Sequence, residues 1–404
     1  MKPILVPLLV VLVQSCIVRT TPISEEADNV FLERYALSST PNIVEADGYP
    51  FENYYVTTGD GYILNIHRIP FGLSGKKNNK VAYLQHGLLQ SSSDWILNGP
   101  GKALAYILAD EGYDVWMGNA RGNTYSRNHS VFDPNTDSRF WQFSWHDIGV
   151  VDVPTMIDFV LEKTGADGVY YAGHSQGTTV YFVMTSMKPE YNSKIKAQVS
   201  LAPIAYMSHL TSPLLRIVAF WQKPAVFLLD LIGMDEFLPG HGFMSMLSSK
   251  ICTEGIGSLL CSNVLFALCG FSPKQMNTTK IPLIMANTPA GSSTKQIIHY
   301  GQEISSGKFR QYDFGMIENR KKYGSIWPPA YDLGKVTAPT YLIYSKNDWL
   351  AATRDVEQLY KELGSPKAKF LVSDHMFNHL DFTFGKDAPK LVYSKVISLF
   401  SRHN

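Results

Sequence analysis

The sequence contains little of what marks several large classes of protein. Among 404 residues there are only 4 cysteines and no Cys-x-x-Cys pair, and the histidines are not spaced as a metal-binding cluster. This argues against a small disulfide-stapled domain and against a zinc or dithiol site that could be read from the sequence. No internal repeat or low-complexity tract occurs. The net charge is only +1, so no nucleic-acid partner is indicated.

Long apolar runs are also scarce. Residues 1–20 carry one lysine and then about ten to thirteen apolar residues, which is too short for a bilayer span and typical of a signal peptide. Cleavage is expected after Ser15 or near Thr20, and a membrane anchor is the alternative. The uncharged stretch 255–273 has the length of a span, but its Gly, Ser, Asn and Cys content argues against one. We therefore expect a chain that enters the secretory pathway and has no transmembrane span.

Two further features fit this route. Asn128 and Asn277 each begin an Asn-x-Ser/Thr sequon and are candidate glycosylation sites. Beyond the leader, Cys252, Cys261 and Cys269 lie within about twenty residues of one another, so one oxidised pair and one remaining thiol are expected. Three buried free thiols are the alternative.

Short apolar runs alternate with helical patterns along most of the chain. The runs predict a hairpin over 56–69, around Gly59-Asp60-Gly61, and strands at 80–85, 112–118, 168–173, 196–202, 340–345 and 369–373. Helical patterns occupy 99–112, 151–165, 178–187, 353–364 and 388–400. This order implies a mainly parallel sheet with helices on both faces.

One region interrupts the alternation. Residues 204–330 show no clear strand pattern and contain very apolar, helix-like stretches. They predict a helical insertion that divides the sheet domain into two parts, 21–203 and 331–404. The insertion is either a separate domain or a cap over a site that the sheet forms.

The pentapeptide Gly173-His174-Ser175-Gln176-Gly177 joins a predicted strand to a predicted helix. Such a sharp reversal forces the serine into a strained backbone conformation, and side chains two residues away on either side would collide. It also puts Ser175 at a helix N-terminus, where free N–H groups favour negative charge. The context predicts a nucleophilic serine.

A serine nucleophile requires a base and an acid, which follow it in this order: serine, acid, histidine. Of the histidines, His375, His379 and His403 lie far enough along the chain, and His403 is next to the terminus. The residues alone do not separate His375 from His379. Asp348 follows the strand 340–345 at the edge where ligands collect, with a helix cap as its alternative role. Two other acids of the histidine loop are expected to be solvated: Asp374 and Asp381.

Acyl transfer also requires N–H groups for the developing oxyanion. The N–H of Gln176 is one candidate, because it directly follows the serine. Leu88 is the second, in the loop after the strand 80–85, where Gly87 lets the backbone turn inward. His86 is expected to anchor that loop.

Longer stretches carry a family resemblance. From about residue 38 to the end, the chain resembles an acid lipase of the gastric and lysosomal type, a lipase of the α/β-hydrolase superfamily. The motifs that carry the resemblance are GYPFENYYVTTGDGYILNIHRIP, LQHGLLQSSSDW, GYDVWMGNARGNTYSR, FWQFSWHDIGVVDVPTMIDFV, GHSQGTT and NHLDF.

The resemblance implies an α/β-hydrolase fold and assigns five site residues. It implies Ser175 as nucleophile, Asp348 as acid and His379 as base, which selects between the two histidines of the loop. It implies that Leu88 and Gln176 supply the oxyanion N–H groups.

The resemblance also implies that 204–330 form a cap with a lid, and that Cys252 and Cys261 form a disulfide while Cys269 stays unpaired. The expected function is a secreted or lysosomal serine lipase. It would hydrolyse fatty-acyl esters of neutral lipids (triacylglycerol and steryl esters) at a lipid–water interface, as a monomer without metal or cofactor. The alternatives are a lipid-binding protein of the same fold that has lost catalysis, and a serine peptidase.

Overall fold

The protein is built around one eight-stranded sheet. The computed structural model describes residues 39–213, 215–216, 235–238 and 269–403. The sheet has the strand order β1-β2-β4-β3-β5-β6-β9-β10. Six neighbouring strands of this order pair in parallel: β4, β3, β5, β6, β9 and β10. At one edge, β1 and β2 add an antiparallel hairpin, and β2 pairs antiparallel with β4. Its strands are β1 Glu52–Thr57, β2 Ile63–Ile69, β3 Val81–Gln85, β4 Asp114–Gly118, β5 Val169–His174, β6 Ile195–Leu201, β9 Thr340–Tyr344 and β10 Pro366–Leu371.

The predicted strands agree with this sheet, apart from the boundaries of the first and last ones: β1 begins at Glu52, four residues before the predicted hairpin. Every residue of β3 and β5 is buried, as expected for central parallel strands covered on both faces. The last strand begins at Pro366, three residues before the predicted start, and includes Lys367 and Lys369. Within the described residues it pairs only with β9, and each of its residues is half-buried or exposed. An edge strand tolerates lysines and needs no continuous apolar run, which explains the shifted boundary.

Helices pack around this sheet, and each predicted helical pattern outside the insertion overlaps an observed helix. Within the described part of the chain, the α-helices of seven or more residues are α1 Thr40–Ala46, α2 Leu104–Asp110, α3 Val153–Thr164, α4 Gln176–Met187, α5 Ile281–Asn287, α6 Thr294–Ser306, α7 Met316–Tyr323, α8 Thr353–Glu362 and α9 Ser394–Phe400. None of the helices in these ranges is both long and apolar enough to cross a bilayer.

A buried arginine ties three segments together beside the sheet. Arg121 follows β4, and its guanidinium contacts the carboxylate of Asp60 in the β1–β2 hairpin and that of Asp152 just before α3. Its backbone N–H also donates to Asp152 Oδ2 at 2.9 Å. Because a buried guanidinium without partners would be very costly, these two carboxylates fix the loop after β4 against its neighbours.

The insertion between β6 and β9 contains structure that the sequence did not reveal. A short antiparallel ribbon joins β7, Glu236–Phe237, to β8, Ser292–Ser293, although no strand was predicted between 204 and 330. The helices α5, α6 and α7 follow in the same insertion. The helix-like stretches at 216–233 and 242–251 lie almost wholly outside the described residues.

Helix α6 buries a polar face. Gln296, His299 and Glu303 are all buried, at spacings of three and four residues that bring them to one side of the helix. The ring of His299 stacks on the indole of Trp145, with centroids 3.6 Å apart. Both carboxylate oxygens of Glu303 are buried, and neither has a hydrogen-bond partner among the residues that the structure describes. Burial raises the pKa of Glu303 well above its ordinary value of 4.5, and the charge of Asp355 raises it further, so the carboxyl group is held protonated.

We predict that Glu303 makes the fold more stable in acid. The folded protein holds this proton to higher pH than the unfolded chain does. The stability linked to the proton is therefore complete below the ordinary value of 4.5 and is lost as pH rises above it. Glu303→Gln removes the ionisation, so it should raise the melting temperature at about pH 7 by on the order of 2–6 °C and change it little at about pH 4.

Thermal unfolding of both proteins at the two pH values measures this difference. The exposed Glu162→Gln serves as the control, since it should shift the melting temperature equally little at both pH values. An equal effect of Glu303→Gln at both pH values would contradict the assignment.

Candidate active site

Ser175 occupies the turn between β5 and α4, in a strained backbone conformation. Its φ is 53° and its ψ is −118°. A Cβ on Gly173 would lie 2.6 Å from the carbonyl oxygen of Gly177, and a Cβ on Gly177 would lie 2.1 Å from that of Gln85. Both glycines are therefore required by close backbone packing, as the pentapeptide predicted.

The side chains of Ser175, His379 and Asp348 form one hydrogen-bonded chain. His379 Nε2 lies 2.8 Å from Ser175 Oγ, and His379 Nδ1 lies 2.8 Å from Asp348 Oδ2 and 3.0 Å from Oδ1. His379 and Asp348 are buried. With Nδ1 donating to the carboxylate, Nε2 is free to accept the proton of the serine hydroxyl.

Asp348 lies in the loop after β9 and does not cap the helix that follows. Its Oδ1 accepts hydrogen bonds from the backbone N–H groups of Leu350 and Ala351, at 2.9 and 2.8 Å. Helix α8 begins only at Thr353, and the residue that caps it is Ala352. The carboxylate is thus held by a local turn and directed at His379.

Of the three candidate histidines, only His379 reaches Ser175. His375 lies on the exposed surface of the same loop. His403 contacts the hydroxyl of Tyr341 through Nε2, at 2.8 Å. Residue types alone could not distinguish His375 from His379, because the distinction depends on the path of this loop.

The loop is held by an acid that was expected to be solvated. Asp381 is 1% exposed, and its Oδ2 accepts the N–H of Asn378 at 2.7 Å, so the expectation was wrong for this residue. Burial raises the pKa of Asp381 to about 7. Asp374 is half-buried and accepts a hydrogen bond from Gln275. A buried backbone N–H needs an acceptor, which Asp381 supplies to Asn378.

Of the two amides proposed for an oxyanion, that of Gln176 lies at this turn and that of Leu88 lies in the loop after β3. Within the described part of the chain, the N–H groups of Leu88 and Gln176 donate to no carbonyl or side chain. A Cβ on Gly87 would lie 3.0 Å from the Cβ of Ser175, so the loop after β3 passes directly beside the serine. Free amides next to a hydroxyl are the arrangement that binds a developing negative charge.

His86 anchors the loop that contains Leu88. Its Nδ1 donates to the carbonyl of Gly87 at 2.8 Å, and its Nε2 accepts the N–H of Ala120 at 3.1 Å. Burial lowers the pKa of His86 to about 4. The neutral ring with this tautomer satisfies both contacts, in agreement with an anchoring role.

Further residues join the loops of the site, and sequence reasoning missed them. The side-chain oxygen of Gln90 accepts the N–H of Gly87 at 2.8 Å and lies 2.9 Å from His174 Nδ1. On its other side, His174 Nε2 lies 2.9 Å from the carbonyl of His379. These contacts link the Leu88 loop to the histidine loop. A signal was present, because Gln90 lies three residues after Gly87, and His174 directly precedes the serine.

A second link runs from the site to the insertion. The side-chain amide of Gln176 donates to Gln296 Oε1 on α6 at 2.8 Å. The amide of Gln296 donates in turn to Ser292 Oγ in the ribbon, also at 2.8 Å. The residue that offers a free backbone amide is therefore fixed through its side chain by the insertion.

The remaining predicted sites lie elsewhere. Asn128 is exposed and Asn277 is half-buried, both outside the serine site. Cys269 has a buried thiol with no disulfide partner among the described residues. The predicted disulfide partners, Cys252 and Cys261, lie outside the described residues.

Comparison with known proteins agrees with this architecture. The chain matches the family model of a partial α/β-hydrolase lipase region over residues 40–99 and that of the α/β hydrolase fold over residues 83–229. Among solved structures, a putative lipase from Sulfolobus solfataricus is similar with a TM-score of 0.57 at 14% identity, over 87% of this chain and 94% of that one. Fold and site therefore define the class of the protein as an α/β hydrolase.

Sequence relatives identify the family within this class. Lipase 3 of Drosophila melanogaster is 46% identical over 88% of this chain and 90% of its own. The gastric triacylglycerol lipase of Mus musculus is 39% identical over 88% and 89%, and the human lysosomal acid lipase/cholesteryl ester hydrolase is 39% identical over 89% and 90%. The chain belongs to the acid lipase family, and it is a carboxylic ester hydrolase.

The close packing at Ser175 predicts that a methyl group is not tolerated at Gly177, whereas one is tolerated at Gly59. Gly177→Ala places a methyl group against the carbonyl of Gln85, so it should destabilise the protein by at least about 3 kcal/mol and abolish ester hydrolysis. Gly59→Ala is the matched control, because a Cβ there meets no atom within 4 Å. Chemical denaturation measures both variants. A Gly177→Ala protein with unchanged stability would contradict the described packing.

Proposed function

We propose that the protein is a serine lipase in which Ser175 is the nucleophile, His379 the general base and Asp348 the acid that orients it. The observation that carries this proposal is the chain of hydrogen bonds from Asp348 through His379 to Ser175 Oγ. The ordering of the two imidazole nitrogens is what acyl transfer requires, because one nitrogen must donate while the other accepts.

In the first half of the reaction, Ser175 Oγ attacks the ester carbonyl while His379 Nε2 takes the hydroxyl proton. The tetrahedral oxyanion is bound by the N–H groups of Leu88 and Gln176, each worth about 3 kcal/mol in the transition state. Asp348 stabilises the imidazolium. The alcohol then leaves with the proton from Nε2, and an acyl ester remains on Ser175.

In the second half, water replaces the alcohol. His379 takes a proton from the water, the resulting hydroxide attacks the acyl carbonyl, and the same two N–H groups bind the oxyanion again. Collapse of the intermediate breaks the bond to Ser175 Oγ and returns the proton to it. The fatty acid is released, and no metal or cofactor takes part in either half.

Neutral lipids are the proposed substrates. The relatives that match along most of their length are named for triacylglycerol and cholesteryl esters. The insertion 204–330 is proposed as a cap with a lid, which divides the hydrolase domain into 21–203 and 331–404. The link from Gln176 to Gln296 supports this role, because it joins the insertion to the site. We propose that the enzyme acts at a lipid–water interface as a monomer.

The protein is a secreted or lysosomal enzyme. The lysine-plus-apolar pattern of residues 1–20 supports a signal peptide. The sequons at Asn128 and Asn277 support glycosylation. The resemblance to the acid lipase family supports a disulfide between Cys252 and Cys261, in an oxidising compartment.

Hydrolysis of a series of esters tests the function. Purified protein should release fatty acid from emulsified triolein and cholesteryl oleate faster than it cleaves a peptide amide, and Ser175→Ala should lower the rate by at least about 10⁴-fold. A purely lipid-binding protein would bind triolein and release no acid. A serine peptidase would show the opposite order of ester and amide.

The two histidines of the loop give a matched pair of variants. His379→Ala removes the base beside Ser175 and should lower kcat by about 10³–10⁵-fold. His375→Ala changes an exposed side chain four residues earlier and should leave kcat within about twofold. Steady-state hydrolysis of a soluble p-nitrophenyl ester measures both variants, with circular dichroism as the test of folding. Equal losses in the two variants would contradict the assigned base.

A further inference from the structure

An exposed apolar cluster lies in the insertion, apart from the serine site. It consists of Met316 and Ile317 at the start of α7 and of Ile326 and Trp327 just after that helix. Their side chains are 65%, 73%, 41% and 59% exposed. Scattered single apolar residues on a surface need no explanation, but four large ones within twelve residues form a patch that marks an interaction site. We call these four residues the α7 surface.

One buried side chain brings the two halves of the α7 surface together. Asn319 is buried, and its Oδ1 accepts the N–H of Phe314 at 2.9 Å. Its amide donates to Asp313 Oδ1 at 2.7 Å and to the carbonyl of Ile326 at 3.0 Å. The chain just before Met316 and the chain at Ile326 therefore meet at the same residue. The exposed side chains belong to one ordered element rather than to two separate loops.

Positive charge borders these apolar side chains. The last turn of α7 carries Arg320, Lys321 and Lys322, all exposed. Glu318, its only acidic residue, pairs with Lys321 at 2.6 Å, so Arg320 and Lys322 carry the excess positive charge. The chain as a whole has a net charge of only +1, so this concentration is local. Arg310, which pairs with Asp313 at 3.3 Å, places its guanidinium 5.8 Å from the ring centroid of Trp327.

The combination favours a lipid surface over a protein partner. Protein interfaces exclude lysine from their centres, whereas lysine and arginine beside tryptophan and isoleucine are typical of elements that lie in a membrane interface. There the apolar side chains enter the acyl boundary, and the basic groups stay among the headgroups. Positive charge selects lipids with anionic headgroups.

We propose that the α7 surface docks on a lipid surface that carries anionic phospholipid headgroups. The proposal rests on the proposed function for its purpose, since an enzyme that cleaves water-insoluble esters must remain at their surface. The occupant is a phospholipid layer, whereas the ester substrate binds at Ser175.

Vesicle binding tests the proposal. The probes are vesicles of phosphatidylcholine alone and of phosphatidylcholine mixed with phosphatidylglycerol, whose phosphate keeps its charge in acid. The full chain with Ser175→Ala is used so that no lipid is cleaved. It should sediment with the mixed vesicles at least about tenfold more strongly than with the neutral ones, and the difference should shrink with added salt.

Substitutions identify the surface that binds. Ile317→Ser with Trp327→Ser, and separately Arg320→Ser with Lys321→Ser, should each weaken binding to the mixed vesicles by about tenfold or more. The control variants are Leu73→Ser, which removes a side chain that is 60% exposed elsewhere, and Lys386→Ser with Lys390→Ser. The controls should bind like the parent protein.

Activity separates this proposal from the proposed function. In the catalytically intact protein, the α7 variants should hydrolyse a soluble p-nitrophenyl ester at the parent rate and lose rate only on emulsions coated with anionic phospholipid. Equal vesicle binding by parent and α7 variants overturns the docking site, as does binding that ignores lipid charge. Binding of the α7 surface to another protein, with no binding to vesicles, also overturns it. Failure of the soluble assay in the parent protein would contradict the assignment of Ser175 instead.

Discussion

The rest of the site depends on the backbone strain at Ser175. A residue with a φ of 53° between a strand and a helix is costly unless the surroundings leave no other path. Here the carbonyl groups of Gln85 and Gly177 press so closely on the turn that only glycine fits on either side. This close packing holds the hydroxyl at the carboxyl end of β5, 2.8 Å from His379 Nε2. The same turn leaves the N–H of Gln176 unpartnered beside the hydroxyl, so nucleophile and oxyanion donor are fixed by one feature.

Much of this arrangement could be predicted from the sequence because it follows from local patterns. The order of apolar runs predicts the parallel sheet, and the two glycines predict the turn at Ser175. Asp348 follows a strand, which predicts its place at the same edge. The choice of His379 over His375 could not be made from residue types alone, because it depends on how a loop folds over the insertion. The family resemblance made that choice, and in the structure His379 is the one that reaches the serine.

Other features lay beyond the sequence for a physical reason. Periodicity finds a helix through its apolar face, but α6 buries Gln296, His299 and Glu303, so its pattern looks like that of a polar surface segment. The sequence predicts a solvated Asp381, because buried acidic side chains are rare. In the structure, α6 connects the serine site to the α7 surface. Gln296 holds the side chain of Gln176 on one side, and Gln302 exchanges hydrogen bonds with the backbone of Asp313, at the base of the α7 surface.

The most direct test of the central claim is a crystal structure of the protein after reaction with a long-chain alkyl phosphonate, which mimics the tetrahedral intermediate. The account predicts a bond from phosphorus to Ser175 Oγ. It also predicts a phosphoryl oxygen within hydrogen-bond distance of the N–H groups of both Leu88 and Gln176, and His379 Nε2 beside the leaving-group position. A phosphonate bound to a different residue, or an oxygen directed away from both amides, would contradict it.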